Sequence, residues 1–284
     1  MNNKDKGISG LANLGNTCFL NSCMQVLSHT FELNNFLNQE TYKNKLNNKL
    51  DSILLIEWDN LRKMLWKENC IISPTRFVKT VQKISQSKKL DMFSGYAQND
   101  LPEFLIFVID CFHTALSRPV DMKIVGTSVN KTDDIAINCF NRIKEIYSKD
   151  YSEIWNMFYG IQVSQLSSIT DNTVSMSPEP FFIINLPIPS NNKSPSLMDC
   201  FDLYIEPELL DDIQNEKTCK KETMKKHIKF WSFPNIVVID IKRFNELNKK
   251  NQILVNFPLD NLNLSNYVIG YHKDSYIYDL YGVC

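Results

Sequence analysis

Apolar positions along this chain follow two rhythms. Through the first 117 residues they recur at helical spacing. Leu20, Cys23, Met24 and Leu27 share one face of a predicted helix, and Leu54, Trp58, Leu61 and Leu65 mark a second. Ser73 reads as an N-cap with Pro74 in the first turn, and Phe77, Val78, Val81 and Ile84 continue that face. The clearest predicted helix runs from Leu101 to about Leu116, on a stripe of Leu101, Phe104, Leu105, Val108, Ile109, Phe112 and Leu116. Residues 118–150 read as a connector, with helix expected around 143–155. Farther on, Pro and Ser punctuate short β-branched or aromatic runs, and 181–186, 236–241 and 276–283 read as strands. The Asn-rich stretch 44–48 and the stretch 190–196 read as surface loops. Helices first and strands later predict an α+β fold rather than a parallel α/β sheet.

Composition narrows the function classes. The chain has 284 residues, 43% hydrophobic and 22% charged, enough for one large domain or two small ones with a proper core. A net charge of −1 gives no electrostatic case for nucleic acid or an acidic membrane surface as partner. No apolar run approaches a membrane span, and the start Met-Asn-Asn-Lys-Asp-Lys lacks the apolar stretch of a signal peptide. The sequence therefore predicts a soluble, intracellular protein of the cytoplasm or nucleus. Its eight cysteines, at 18, 23, 70, 111, 139, 200, 219 and 284, form no Cys-x-x-Cys pair, so neither a zinc clamp nor a redox dithiol is written in them. They are expected to be reduced, and most to be small core residues.

Candidate chemistry concentrates in residues 10–27, Gly-Leu-Ala-Asn-Leu-Gly-Asn-Thr-Cys-Phe-Leu-Asn-Ser-Cys-Met-Gln-Val-Leu. Cys18 falls where a loop becomes a helix. Unpaired backbone N–H groups and the positive end of the helix dipole favour thiolate over thiol there. The Gly-containing approach lets backbone pack closely around a reacting carbonyl. Asn13, five residues upstream, can reach back to donate to a developing oxyanion. The bland readings are a structural cysteine at a helix start and an Asn that caps its own loop. Cys23 falls on another helical face and reads as core.

This run closely resembles the Cys box of the ubiquitin-specific proteases, papain-like cysteine peptidases that cleave ubiquitin from proteins. The resemblance implies a papain-like fold, a helical thumb followed by β-rich fingers and palm. It also implies that Cys18 is the nucleophile and Asn13 the oxyanion-hole donor. A second run, Phe93-Ser94-Gly95-Tyr96-Ala97-Gln98-Asn99-Asp100-Leu101-Pro102-Glu103-Phe104-Leu105, resembles the family's Gln-Gln-Asp box, with Asn99 at the second Gln. On that likeness Gln98, Asp100 and Glu103 meet the extended ubiquitin tail. Asp100 and Glu103 also have the spacing of a capping box at a helix start, and both readings can hold together. Tyr159-Gly160 through Glu179-Pro180-Phe181-Phe182 resembles the start of the fingers, where many members carry two Cys-x-x-Cys pairs around a structural zinc. Here Ser167 and Ser168 stand near the first pair, and Cys219 stands alone with Glu222 three residues later. No metal is expected, and the fingers are expected to be held by hydrophobic packing alone. The stretch 234–244, ending Lys-Arg-Phe, and Phe257-Pro258 with 262–267 fit the family's palm. The likeness covers residues 8–284: a thumb of about 8–117 and a fingers-and-palm portion of about 118–284, after a tail of residues 1–7.

A thiol nucleophile needs a base. The family supplies it as the His of a Gly-His-Tyr box, and Tyr278-Asp279-Leu280-Tyr281-Gly282-Val283 matches the strand preceding that box, but no Gly-His-Tyr occurs in these residues. His29, His113, His227 and His272 are poor substitutes, since none has the right place or neighbours. The expectation is of a catalytic domain interrupted before its His box, with an open sheet edge and marginal stability. Two functions follow: a deubiquitinating protease acting on ubiquitin and ubiquitinated proteins, or a ubiquitin-binding module that does not cleave. An enzyme for a ubiquitin-like modifier is a third. Each is expected to be a monomer with no cofactor.

Overall fold

In a computed structural model, residues 6–95, 97–169, 174–190, 192–215, 219–244 and 247–284 are described. The chain forms two compact units. The first comprises residues 1–120, 147–157 and 281–284, and the second 121–146 and 158–280.

The first unit is helical. Strand β1 (Gly10–Leu11) leads into α1 (Cys18–Ser28), then α2 (Phe31–Asn38), α3 (Asp51–Leu65), β2 (Ile71–Ile72), α4 (Thr75–Ser87) and α5 (Leu101–Leu116). Each expected apolar face is buried: Leu20, Cys23, Met24 and Leu27 on α1, Leu54, Trp58, Leu61 and Leu65 on α3, and Phe77, Val78, Val81 and Ile84 on α4. On α5, Phe104, Val108, Ile109, Phe112 and Leu116 are buried while Leu101 and Leu105 stay partly open. α5 packs on α3 and α1, and Trp58 at the centre of α3 lies 6.2 Å from Phe77 and 6.4 Å from Phe112, ring to ring. The start of α4 differs from expectation. Pro74 itself holds the cap position, its carbonyl accepting from Val78, while the Ser73 hydroxyl pairs with that of Thr75. The stretch 44–48 is tied down rather than loose, because the Asn47 amide donates to the Thr114 carbonyl at the end of α5.

α6 (Lys131–Asp150) and α7 (Glu153–Phe158) occupy much of the expected connector. α6 begins twelve residues before the helix expected from 143. It buries only Ala136 and Cys139 fully, too thin a stripe for a periodicity argument. Its start is nevertheless written in Asn130-Lys131-Thr132-Asp133. The Asn130 side chain accepts from the N–H groups of Thr132 and Asp133, and Asp133 accepts from Val129 and Asn130, a reciprocal cap. At the start of α7, Glu153 receives a fork from Arg118 (3.0 and 2.7 Å) and a bond from Lys45 (2.7 Å). Burial pushes this carboxyl up, but Arg118 and Lys45 outweigh it and hold its pKa at about 2. The resulting stabilisation is present above the unfolded value near 4.5 and lost as pH falls through the folded one. Urea unfolding between pH 5 and pH 2 is expected to show a loss of about 3 kcal/mol from this group. Glu153→Gln should flatten that part of the curve, and an unchanged slope would refute the assignment.

The second unit carries the sheet. In chain order it holds β3 (Gly160–Ser168), β4 (Val174–Phe181), β5 (Ile183–Leu186), α8 (Leu197–Ile205), β6 (Glu208–Gln214), β7 (Lys221–Ser232), β8 (Val238–Ile241), β9 (Leu262–Asn263) and β10 (Ile277–Tyr278). Strands β4-β3-β7-β6 form an antiparallel sheet in that order, β5 pairs parallel with β8, and β10 pairs antiparallel with β9. Helices first and strands second, as expected, make the fold α+β. Pro178 and Pro180 fall on β4, an edge strand where a missing N–H costs no ladder bond. The core gathers Phe201, Phe230 and Phe233 around Leu186, Leu264 and Val268. Only residues 277–278 of the expected strand 276–283 join a ladder. Residues 281–284 belong to the first unit instead.

The far end of the four-stranded sheet corrects one expectation. It is not held by apolar packing alone, for a polar cluster joins three strands. Ser168 on β3 donates to one oxygen of Glu222 on β7 at 3.0 Å, and the Asn215 amide beside β6 donates to the other. Ser168 and Asn215 are buried. A hydroxyl and an amide nitrogen that spend their hydrogens on one carboxylate do not fit a zinc ion, which needs deprotonated sulfur or imidazole donors. Glu222→Ala is expected to cost about 1–3 kcal/mol by removing an acceptor that two buried donors share, while EDTA leaves the Tm unchanged. A Tm drop on chelation would overturn this.

No described helix is long and apolar enough to cross a membrane, and all eight cysteines are free.

Candidate active site

Cys18 is the first residue of α1, and it is exposed. The approach to it is held by a polar stripe on the helix. The Asn21 amide donates to the carbonyls of Leu11 (3.3 Å) and Ala12 (3.2 Å), and Gln25 donates to Ser9 (2.8 Å). Residues 18, 21, 22 and 25 share a helix face, so one side of α1 carries the thiol and clamps the segment that leads to it. Ser9 is buried with its hydroxyl 2.9 Å from the carbonyls of Leu65 and Glu68, and β1 pairs in parallel with β2 behind it. The spacing of residues 18, 21, 22 and 25 shows that stripe in the sequence, where the family resemblance gives a role on it to Cys18 alone.

Between β1 and α1 the backbone turns through two left-handed residues, Gly15 (φ 101°) and Asn16 (φ 54°). Gly suits such a position for want of a Cβ, and Asn tolerates it. The turn wraps around the side chain of Asn13. Its Oδ1 accepts from the Gly15 N–H, the Thr17 N–H and the Thr17 hydroxyl, each at 3.1 Å. Asn13 therefore does cap its own loop, and its Nδ2 remains the donor end of the amide.

Gln98, Asp100 and Glu103 lie at the entry to α5, and all three are exposed. Asp100 is the N-cap and accepts from the Glu103 N–H at 3.2 Å, with Pro102 in the first turn. This segment is joined to the thiol helix by rings. Phe19, next to Cys18, stands edge-to-face with Phe104 at 5.1 Å, and Phe93 lies 5.4 Å from Phe104 and 6.4 Å from Phe19. The structure thus gathers the starts of α1 and α5 on a shared aromatic cluster. Tyr96 lies outside the described residues.

The histidines of the first unit have partners of their own. His29 caps the far end of α1, where its Nδ1 meets the Gln25 carbonyl and Ser28 hydroxyl and its ring faces Trp66. His113 on α5 joins Ser152 (2.7 Å) and Asp150 (3.3 Å). In the second unit, His272 takes a left-handed conformation before a short 3-10 turn. His227 lies within strand β7 and is partly buried. Burial, then Lys229 and Lys225, lower its pKa. It lines a cleft with three carboxylates, of which Asp199 holds the α8 cap, Asp202 accepts from the Tyr267 hydroxyl, and Glu206 is exposed.

The last described residues lie along α1. Gly282 packs so closely on Val26 that a Cβ would stand 2.5 Å from its methyl, and the Tyr281 hydroxyl meets that of Thr30 at 3.0 Å. Asn21, Ser22 and Cys284 line a cleft of about 400 Å³ there.

Residues 9–284 match the family model described as ubiquitin carboxyl-terminal hydrolase. Ubiquitin carboxyl-terminal hydrolase Usp2 of Drosophila melanogaster is 33% identical over 288 residues, which cover 99% of this chain and 30% of that protein. Ubiquitin carboxyl-terminal hydrolase 2 of Homo sapiens is 31% identical over 299 residues, 100% of this chain and 48% of the relative. The chain thus spans less than half the length of either. A solved structure of the SAGA Ubp8/Sgf11/Sus1/Sgf73 DUB module bound to ubiquitin aldehyde shares the fold, with a TM-score of 0.68 at 21% identity over 94% of this chain and 55% of that one. A match that runs through both helix starts and on to residue 284 leaves no doubt of kinship: the chain belongs to the ubiquitin carboxyl-terminal hydrolase family.

Proposed function

We propose that the protein is a deubiquitinating cysteine protease that hydrolyses the bond after the C-terminal Gly of ubiquitin. Its partners on this reading are ubiquitin and ubiquitinated proteins, and residues 8–284 serve as its catalytic domain. The Cys18 sulfur attacks the carbonyl while Asn13 and neighbouring backbone N–H groups hold the oxyanion. The C–N bond then breaks as the amine leaves with the proton given up by the thiol, and water cleaves the thioester to return the thiol and a free ubiquitin carboxylate. Gln98, Asp100 and Glu103, exposed beside the shared aromatic cluster, meet the basic residues of the ubiquitin tail. Free cysteines throughout accord with an intracellular setting, cytoplasm or nucleus.

One observation carries the reading. An exposed thiol heads a helix, and five residues before it stands an amide whose oxygen is already tied down and whose nitrogen is available. The test is release of a fluorogenic amine from the C-terminus of ubiquitin by the full-length protein. Thiol-dependent release supports the reading, and none at micromolar enzyme would sink it. A second reading, ubiquitin binding without cleavage, is favoured by the commitment of His29 and His113 to other partners. Binding measured without release would select it.

A further inference from the structure

Asn13 matters to the proposed reaction only if its amide presents nitrogen rather than oxygen. An amide about its last torsion has two broad orientations, and little in the side chain itself chooses between them. We infer that Thr17 makes the choice, as a positioning residue for Asn13; the inference rests on the deubiquitinase reading above.

The hydrogen-bond network supplies the argument. The Thr17 hydroxyl accepts from the Leu14 N–H at 3.1 Å. That bond occupies a lone pair and leaves the hydroxyl hydrogen for Asn13 Oδ1, 3.1 Å away. The Thr17 N–H reaches the same oxygen, as does that of Gly15. A flipped amide would turn its NH2 toward the Gly15 and Thr17 N–H groups, which repel it, and would lose the hydrogen bond that the Thr17 hydroxyl donates to the oxygen. Nδ2 has no acceptor among the described residues and stays free to donate. Location separates the roles further. Thr17 is only 6% exposed, whereas Asn13 and Cys18 are open to solvent. Water competes poorly for the hydroxyl, and the lock holds while the two reactive side chains remain accessible. Of the three donors on Oδ1, the hydroxyl alone belongs to a side chain, so mutation can remove it and leave the backbone turn in place.

The experiment compares Thr17→Val, Thr17→Ser and Asn13→Ala in the full-length protein with the ubiquitin fluorogenic amide. Thr17→Val keeps shape and removes the hydroxyl. It is expected to lower kcat by about 10- to 100-fold, less than the 10²–10³ lost with a whole oxyanion donor, with KM within twofold. Thr17→Ser is expected to restore most of the loss. In the Asn13→Ala background, Thr17→Val should cost less than a further twofold, because the group it positions is gone. Wild-type kcat in Thr17→Val, or a full additional loss on Asn13→Ala, would overturn the inference. A readout without turnover keeps it distinct from the functional reading. The pair of Asn13 side-chain NH2 resonances, observed by NMR, should show a weak or absent NOE to the Thr17 backbone N–H in the wild type and in Thr17→Ser, where the oxygen faces it, and a strong one in Thr17→Val, where the flipped amide is populated. If the wild type fails to cleave, the deubiquitinase reading falls, and this NOE alone decides whether Thr17 holds the amide; an unchanged NOE in Thr17→Val rejects it.

Discussion

Cys18→Ala is expected to lower release from the ubiquitin fluorogenic amide by about 10⁶-fold, to background. Removing the nucleophile of a triad-type hydrolase costs about that much in kcat, since the remaining donors cannot create a covalent path. Ubiquitin affinity, read by calorimetry or fluorescence polarisation, should stay within about twofold, because the thiol is one small exposed group. Folding should also be untouched. Cys18 is exposed, and Ala is at least as good a helix former. The paired outcome discriminates sharply. Retained cleavage would remove Cys18 from the mechanism, and lost binding would mean that the site, rather than the chemistry, had been damaged.

The second large effect lies inside the helical unit. Asp59 and Arg62, one turn apart on α3, are 2% and 4% exposed. Asp59 receives Arg62 at 2.6 Å, the Tyr42 hydroxyl at 2.8 Å and Lys63 at 3.0 Å. Burial pushes its carboxyl up, yet the bonds from Arg62, Lys63 and Tyr42 prevail and hold it below the usual carboxylate range. Arg62 also reaches the side-chain oxygen of Asn38 at 3.0 Å, so α2 and α3 share this charge. Asp59→Ala leaves a guanidinium and a phenol buried without their main acceptor. The expected loss is about 3–5 kcal/mol, a large part of the 5–15 kcal/mol typical of a domain. Replacing both members, Asp59→Leu with Arg62→Met, should cost much less, because no uncompensated charge remains. Urea unfolding of the three proteins checks this. A loss under 1 kcal/mol in Asp59→Ala would mean that the network contributes little.

These expectations draw on different depths of the sequence. The proposed nucleophile was legible because its signal is local. A thiol at a loop-to-helix junction, an Asn five residues before it and a Gly in between depend on near neighbours only. α5 was legible from Leu101 to Leu116 because a strong apolar stripe meets an Asp-x-x-Glu start. Where burial is slight, the pattern failed. α6 shows two fully buried residues in twenty, and its reciprocal Asn130–Asp133 cap was the better guide.

The sequence by itself determined the α+β order, the apolar faces of α1, α3, α4 and α5, and the place of Cys18 at a helix start, because each follows from periodicity and capping within about twenty residues. Only the tertiary structure decided what distant polar groups do. It tied Gln25 to Ser9, joined Ser168, Asn215 and Glu222 across three strands, and set Phe19 against Phe104. The reason is physical. A buried donor or acceptor must find a partner wherever the fold brings one, and spacing along the chain does not say which that will be.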